Sequence, residues 1–359
     1  MSRPTAKTHG HRTQRGLSLV ELMIGITIGL IVMGALTYIF VGSRGAYRAN
    51  ENLARVQEAG RFALDYIAQD LRMTSFAGCR SRSLNVADGT LANVTQPAVA
   101  FNGAGDGVVG FEDGAGWTNP TAIVRAAGDV INVRRAAGMM VRLAANSDPI
   151  ARTVTIEHNG AGIRNGDIVV LANCERALMF RVTNNPATTG IGNFPTTFEY
   201  KTVGAGVGGT DGNAATVPND VFTPDSRAQV MRFVETSYFV GVNPAGRPAL
   251  YRVVGGTAEE LVDGIEDLDI LYGIDTSAPE PDGIADAYVR ANAVTNWSQV
   301  VSVRISALAV GLDGNVAVGP QTYAFRDTNG DGVPETQTAP DRRLRQVFTT
   351  TVALRNRML

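Results

Sequence analysis

Cysteine and histidine are nearly absent. Among 359 residues there are two cysteines, Cys79 and Cys174, and three histidines. His9 and His11 lie close to the N-terminus, which leaves His158 alone to join the two cysteines, too thin a donor set for a Cys/His zinc site. The same scarcity argues against a Ser-His-Asp hydrolase, because "TIEHNG" around His158 would have to supply the base and no G-x-S-x-G elbow accompanies it. No acid occurs in the first sixteen residues, which hold Arg3, Lys7, Arg12 and Arg15. The formal charge of the whole chain is −2, so the remainder stands at about −6. A body built to hold phosphates would be basic, so nucleic acid is not an expected partner. Proline is missing between Leu17 and Pro97, so no residue in that stretch obliges a helix to stop.

What is present begins with an apolar run from Leu17 to Val41. About 25 helical residues at ~1.5 Å each exceed the ~30 Å hydrocarbon core of a bilayer, enough for a tilted span. A secretory signal peptide has a shorter apolar core of ~7–15 residues. The basic leader puts the N-terminus in the cytoplasm and everything after the span outside. One acid, Glu21, sits inside the run, although a carboxylate at membrane depth costs at least ~2.5 kcal/mol. Beyond the span, Leu53, Val56, Ala63, Ile67 and Leu71 recur at mostly helical steps, which predicts an amphipathic continuation of one helix to about Arg72.

From Ala77 onward short β-like runs alternate with turns. The first group is "DVINVRRA" (129–136), "RTVTIEHN" (152–159), "DIVVLANC" (167–174) and "RALMFRVT" (176–183). The second is "AQVMRFVETSYFVGV" (228–242), "ALYRVV" (249–254), "IEDLDILYGID" (265–275), "VVSVRISALAV" (300–310) and "VFTTTVALRNR" (347–357). In the 300–310 run Val301, Val303, Ile305 and Ala307 alternate with Ser302, Arg304 and Ser306, the pattern of a sheet with one face under a helix. Strands following one long helix read as an α+β fold. The Gly-rich stretch 203–220 reads as a flexible loop, either a β–β connection or an inter-subdomain linker.

The leader "RG|LSLVELMIGITIGLIVMG" resembles the class III signal of type IV prepilins, although many of those have Phe where this chain has Leu17. The resemblance implies cleavage after Gly16 by a prepilin peptidase and N-methylation of the new N-terminal Leu17. It implies further that Glu21, four residues on and on the same helical face, pairs with that amine within a chain or from a neighbour. The segments "RFVETSYFVG", "RPALYRVV", "LVDGIEDLDILYGID", "DGIADAYV", "WSQVVSVRISAL" and "VFTTTVALRNR" resemble the PilW family of minor pilins; residues 80–225 match less. Together they imply a cleaved leader (1–16), a transmembrane helix (17–42), its amphipathic continuation (43–75) and a β-rich periplasmic head (76–359), the helix packing on an antiparallel sheet. The implied function is to start or cap a type IV pilus at its tip. Its partners would be other minor pilins, the major pilin and a tip adhesin, and it would wait in the inner membrane before assembly. A type II secretion pseudopilin has the same leader; a membrane-tethered calcium-dependent adhesin is the reading from another class.

On the exported side of a membrane, Cys79 and Cys174 read as one disulfide. "DTNGDGVPE" (327–335) spaces Asp327, Asn329 and Asp331 at alternate positions before Gly332, the spacing of a calcium loop; with no acid at Thr338, the closing ligand is Glu335 or comes from elsewhere in the chain. Glu280, Asp282 and Asp286 offer a second candidate; a turn with no metal is the alternative for both. "GDGVVG" (105–110) fits G-x-G-x-x-G, but "FEDGAGWTNP" after it is not a helix, so no nucleotide site is expected. Trp117 and Trp297 read as packing residues. No essential cofactor is implied.

Overall fold

The computed structural model describes residues 18–78, 91–96, 107–186, 194–203, 212–277, 282–327 and 333–357. The chain divides into two compact units, Met1–Glu51 and Asn52–Leu359. Helix α1 runs over Leu19–Arg72 and contributes to both. Its bounds agree with the proline-free stretch, and Arg72 in its last turn complements the negative end of the helix dipole.

In the first unit every apolar residue from Leu19 to Val41 is exposed. Thr27 and Thr37 donate their hydroxyls back to the carbonyls of Met23 (2.7 Å) and Met33 (2.8 Å), so neither leaves a bare polar group on that surface.

In the second unit the helix buries Asn52, Val56, Gly60, Ala63, Leu64, Ile67, Ala68 and Leu71. Leu53, expected on this face, is 42% exposed. The stripe steps through 52, 56, 60, 63 and 67, which leaves residue 53 about 100° round the helix. Asn52 takes the buried place, and its Nδ2 donates to Asp313 at 2.9 Å.

Among the described residues eighteen strands follow. The larger sheet has eight: β1 (Leu91–Asn93), β3 (Val108–Phe111), β4 (Val130–Arg142), β6 (Ile168–Ala172), β7 (Ala177–Arg181), β10 (Gln229–Val242), β11 (Pro248–Val254) and β12 (Thr257–Asp263). The smaller is ordered β14 (Ala287–Val289), β13 (Ile265–Ile274), β15 (Val300–Val310), β18 (Arg345–Ala353). Three ribbons complete the set: β2 (Thr95–Gln96) with β9 (Gly212–Asn213), β5 (Thr153–Ile156) with β8 (Thr196–Glu199), and β16 (Thr322–Ala324) with β17 (Thr336–Thr338). All ladders are antiparallel except β1 with β7. β10 joins the halves of the large sheet: it pairs with β4 along one edge, and along the other with β6 over 229–232 and β11 over 236–242.

The main core lies where the helix face meets the small sheet. Val56, Ala63, Ile67 and Leu71 pack with Leu268, Ile270, Val303, Ile305, Ala307 and Val352, joined by Ile131, Tyr238 and Leu250 of the large sheet. A separate cluster, including Val154, Leu171, Phe180, Phe198 and Val230, serves the 141–230 region. Trp297 meets Tyr272 edge-on at 4.8 Å and Trp117 lies 5.0 Å from Phe239, so both indoles pack, as expected.

Two buried carboxylates tie these layers. Asp70 on the helix accepts from Arg135 Nη2 of β4 (2.8 Å) and from the Tyr238 hydroxyl of β10 (2.7 Å), and burial together with this carboxylate pushes the phenol far above its ordinary value. Asp129, just before β4, accepts from the backbone N–H of Asp113 (2.9 Å) and of Ile270 in β13 (2.8 Å), so its carboxylate links the large sheet to the small one. Burial raises its pKa to about 6, against the opposing pull of those two N–H groups and Arg326. A group whose native pKa lies above its unfolded value binds protons more tightly when folded, so its contribution to stability grows as pH falls through 6 toward 4. Between pH 7 and 4.5 this amounts to about 2 kcal/mol. Wild-type protein should therefore gain several degrees in Tm over that interval relative to Asp129→Asn, which cannot titrate; parallel pH profiles would contradict it.

As the sequence predicts, no α-helix follows "GDGVVG": Val108–Phe111 is β3 and Glu112–Gly114 a 3-10 turn. The structure revises the sequence reading at three other places. β12, rich in glutamate, was not anticipated, although Gly255 (φ 56°) and Gly256 (φ 79°) form the two-residue turn that pairs Val254 with Thr257. The end of the 203–220 stretch is fixed: Asn213 is 1% exposed and exchanges hydrogen bonds with Arg181 N–H and C=O, both at 2.8 Å. The last run leaves the sheet after Ala353 and closes with the 3-10 turn Arg355–Arg357.

Candidate functional site

Gly16 and Leu17 lie outside the described residues; Glu21 is within them, in the first turn of α1. Its carboxylate accepts from the Ser18 N–H at 3.0 Å, and its own N–H donates to Ser18 Oγ at 3.2 Å. This is a reciprocal capping box, legible in the sequence as S-x-x-E and overlooked when Glu21 is considered only as a charge. The box satisfies two donors that the helix start would otherwise leave open. It gives Glu21 a local role in helix initiation and leaves its negative charge unneutralised within the box. Leu22, Met23, Ile24 and Ile26 beside it are more than half exposed, a surface that lipid or other apolar helices must cover. Among the described residues α1 is the one helix long and apolar enough to cross a membrane.

Cys79 lies outside the described residues. Cys174 falls in the turn between β6 and β7, where Asn173 Oδ1 accepts from the N–H groups of Glu175 and Arg176. Gly78, with φ at +112°, lies close enough to this hairpin that a Cβ there would stand 3.1 Å from the Ala172 Cβ.

Of the calcium-loop residues, Asn329 and Asp331 lie outside the described set. Asp327 presents its backbone carbonyl to Arg290, whose Nε and Nη2 donate at 3.1 and 2.6 Å. Glu335 N–H donates to the Arg326 carbonyl (2.8 Å) and its carbonyl accepts from Phe325 N–H (3.0 Å), so the two ends of the loop are paired. In the second candidate, Glu280 lies outside the described residues, Asp286 accepts from Thr276 N–H and Oγ1, and Asp282 from Ile284 N–H. Those bonds make a turn. Among the described residues no group of three or more acidic, cysteine or histidine side chains is arranged to hold a metal. His158 Nδ1 accepts from the nearby Gly160 N–H at 3.1 Å.

Comparison with known proteins places two family matches on this framework. Residues 11–37, which include Gly16, Leu17 and Glu21, match the prokaryotic N-terminal methylation motif. Residues 237–356 match the type IV pilus-assembly protein W family; the match begins within β10, close to where its pairing changes from β6 to β11, and extends past β18. No curated protein matches the chain. Among solved structures, a type IV-like pilin from Thermus thermophilus is 15% identical, covering 54% of this chain and 86% of that one with a TM-score of 0.22. The apolar helix and the methylation motif indicate membrane anchoring. With a prepilin motif at one end and a PilW segment at the other, the findings support a PilW-type minor pilin.

Proposed function

We propose that this chain is a low-copy subunit that starts or caps a type IV pilus at its tip, together with other minor pilins, its head on the periplasmic side until assembly. The observation that carries this reading is the exposed apolar surface of α1 with one acid in its first turn, directly after a leader of prepilin type. Such a surface suits insertion in a membrane and later transfer into a bundle of like helices. The role is structural, with catalysis left to the peptidase that removes the leader after Gly16 and methylates Leu17. A type II secretion pseudopilin uses the same chemistry; the PilW match favours the pilus.

The head is proposed to be closed by Cys79–Cys174. The position of Gly78 beside Ala172 supports this by bringing the chain before Cys79 to the hairpin that carries Cys174. Closing a loop of about 95 residues would stabilise the fold by up to ~4.7 kcal/mol in the chain-entropy model. One measurement tests processing and pairing together. The non-reduced intact mass of membrane-extracted protein should correspond to a methylated chain beginning at Leu17 and lacking two hydrogens. A different N-terminus or two free thiols would contradict the respective claim.

Calcium at Asp327, Asn329, Asp331 and Glu335 is proposed as a secondary property. At free calcium of ~100 times the dissociation constant it would add ~2.7 kcal/mol, and exported sites of this kind bind at ~10⁻⁴–10⁻³ M. Tm should rise in millimolar calcium relative to chelator, and Asp327→Ala with Asp331→Ala should abolish the rise. An unchanged wild-type Tm would leave this segment a plain turn.

A further inference from the structure

The small sheet ends on β18, and the chemistry of that strand differs from that of the terminal strands β1, β3, β12 and β14. β1 and β14 have three residues each and β3 four, too short to template a partner. β12 is longer, but it carries Glu259 and Glu260, and its pairing with β11 is broken by a register shift between Leu250 and Tyr251. These are the usual protections of an edge: brevity, charge and irregularity. β18 has none of them. It spans nine residues, keeps an unbroken register with β15 from Arg345 to Ala353, and from Gln346 to Ala353 it contains neither charge nor proline.

The direction of its free hydrogen-bonding groups follows from the ladder. Leu354 N–H donates to the Val301 carbonyl at 2.8 Å, which continues the register as a hydrogen-bonded pair. Alternation then turns the backbone groups of residues 346, 348, 350 and 352 toward β15 and those of Val347, Thr349, Thr351 and Ala353 outward. Among the described residues no strand pairs with that outer row. Phe348 and Val352 lie on the helix side, while Thr349, Thr351 and Ala353 are exposed on the other. At one end, Arg345 is fully engaged by Glu266 and Asp341. At the other, Arg355 is exposed and meets no carboxylate among the described residues.

We propose that the outer edge of β18 is a docking site for an extended strand of another chain, added antiparallel, uncharged along its length and acidic at the first residue, where it meets Arg355. Backbone pairing would supply affinity, and the uncharged row with Arg355 at its end would set register and direction. The site is separate from the assembly chemistry at Glu21, so Glu21→Ala leaves it intact.

The probe is a fluorescent synthetic peptide, Asp-Val-Thr-Val-Thr-Val-Thr, added to the full-length chain in detergent, with anisotropy and amide hydrogen exchange as readouts. With Asp opposite Arg355 the seventh residue falls opposite Thr349, so saturating peptide should slow exchange of the outward Thr349, Thr351 and Ala353 amides at least tenfold and leave β12 unchanged. Arg355→Glu, which lies outside the strand, should weaken this peptide about tenfold and favour the same peptide beginning with Lys. Thr349→Pro with Thr351→Pro removes two outward donors while sparing the bonds to β15, and should abolish binding. The proposal is overturned by absence of protection, by Arg355→Glu binding both peptides as wild type does, or by self-association that protects 346–353 without peptide. If the proline chain does not fold, the exchange and Arg355→Glu results still decide the matter.

Discussion

Glu21→Ala chains are expected to lose their leader and insert normally, yet to enter pili at a tenth of the wild-type level or less. Insertion improves if it changes at all, because removing a carboxylate from membrane depth relieves at least ~2.5 kcal/mol. The loss arises at assembly, where an unpaired amine at Leu17 would be carried into an apolar helix bundle. The capping box supplies a competing explanation, since removing it weakens the helix start by ~1 kcal/mol. Glu21→Gln separates the two: glutamine can still accept from Ser18 N–H but carries no charge. Pairing with the amine predicts that Gln fails as Ala does, and capping alone predicts that Gln assembles as wild type. Counting the subunit in sheared pili by immunoblot, normalised to its membrane level, gives the answer.

Gly60→Leu should be the most damaging single change in the helix half of the head. A Cβ at Gly60 would stand 2.1 Å from Cδ2 and 2.6 Å from Cγ of Phe348 on β18. Cγ hangs from the strand through Cβ, so the clash is relieved only by a new χ1 rotamer of Phe348 inside the core or by moving β18 or the helix. In a free helix, Gly to Leu would be favourable by most of 1 kcal/mol. Here overpacking reverses the sign, and a loss of roughly 3 kcal/mol is expected, about 5 °C or more in Tm. Phe348→Ala opens the space, so Gly60→Leu in that background should cost far less. Additive losses would place the damage elsewhere.

The elements legible in the sequence are those whose pattern is local. Proline absence and hydrophobic periodicity delimit α1, and each long alternating run from 129 to 357 is a strand. Where the reading fell short, long-range geometry decided. Leu53 rather than Asn52 was placed on the core face because hydrophobicity alone chose between neighbours, whereas Asp313, distant in sequence, makes Asn52 the better buried residue. Asn213 sits in a stretch whose glycines suggest a mobile connection, yet its amide completes the edge of β7. The Asp129 bridge between sheets and the Asp70 contact with Tyr238 join residues more than a hundred positions apart and leave no local signature. At the candidate site the leader and Glu21 were legible, and so was the capping box, from S-x-x-E. The open edge at β18 was not, because an uncharged strand looks the same at the centre of a sheet as at its margin.

Whether the chain is needed to start or cap a pilus is decided by electron microscopy of a strain lacking it, with major pilin quantified in parallel. Few or no surface pili are expected at a normal major-pilin level, with piliation restored by the wild-type chain. Normal piliation in the deletion strain would contradict that role.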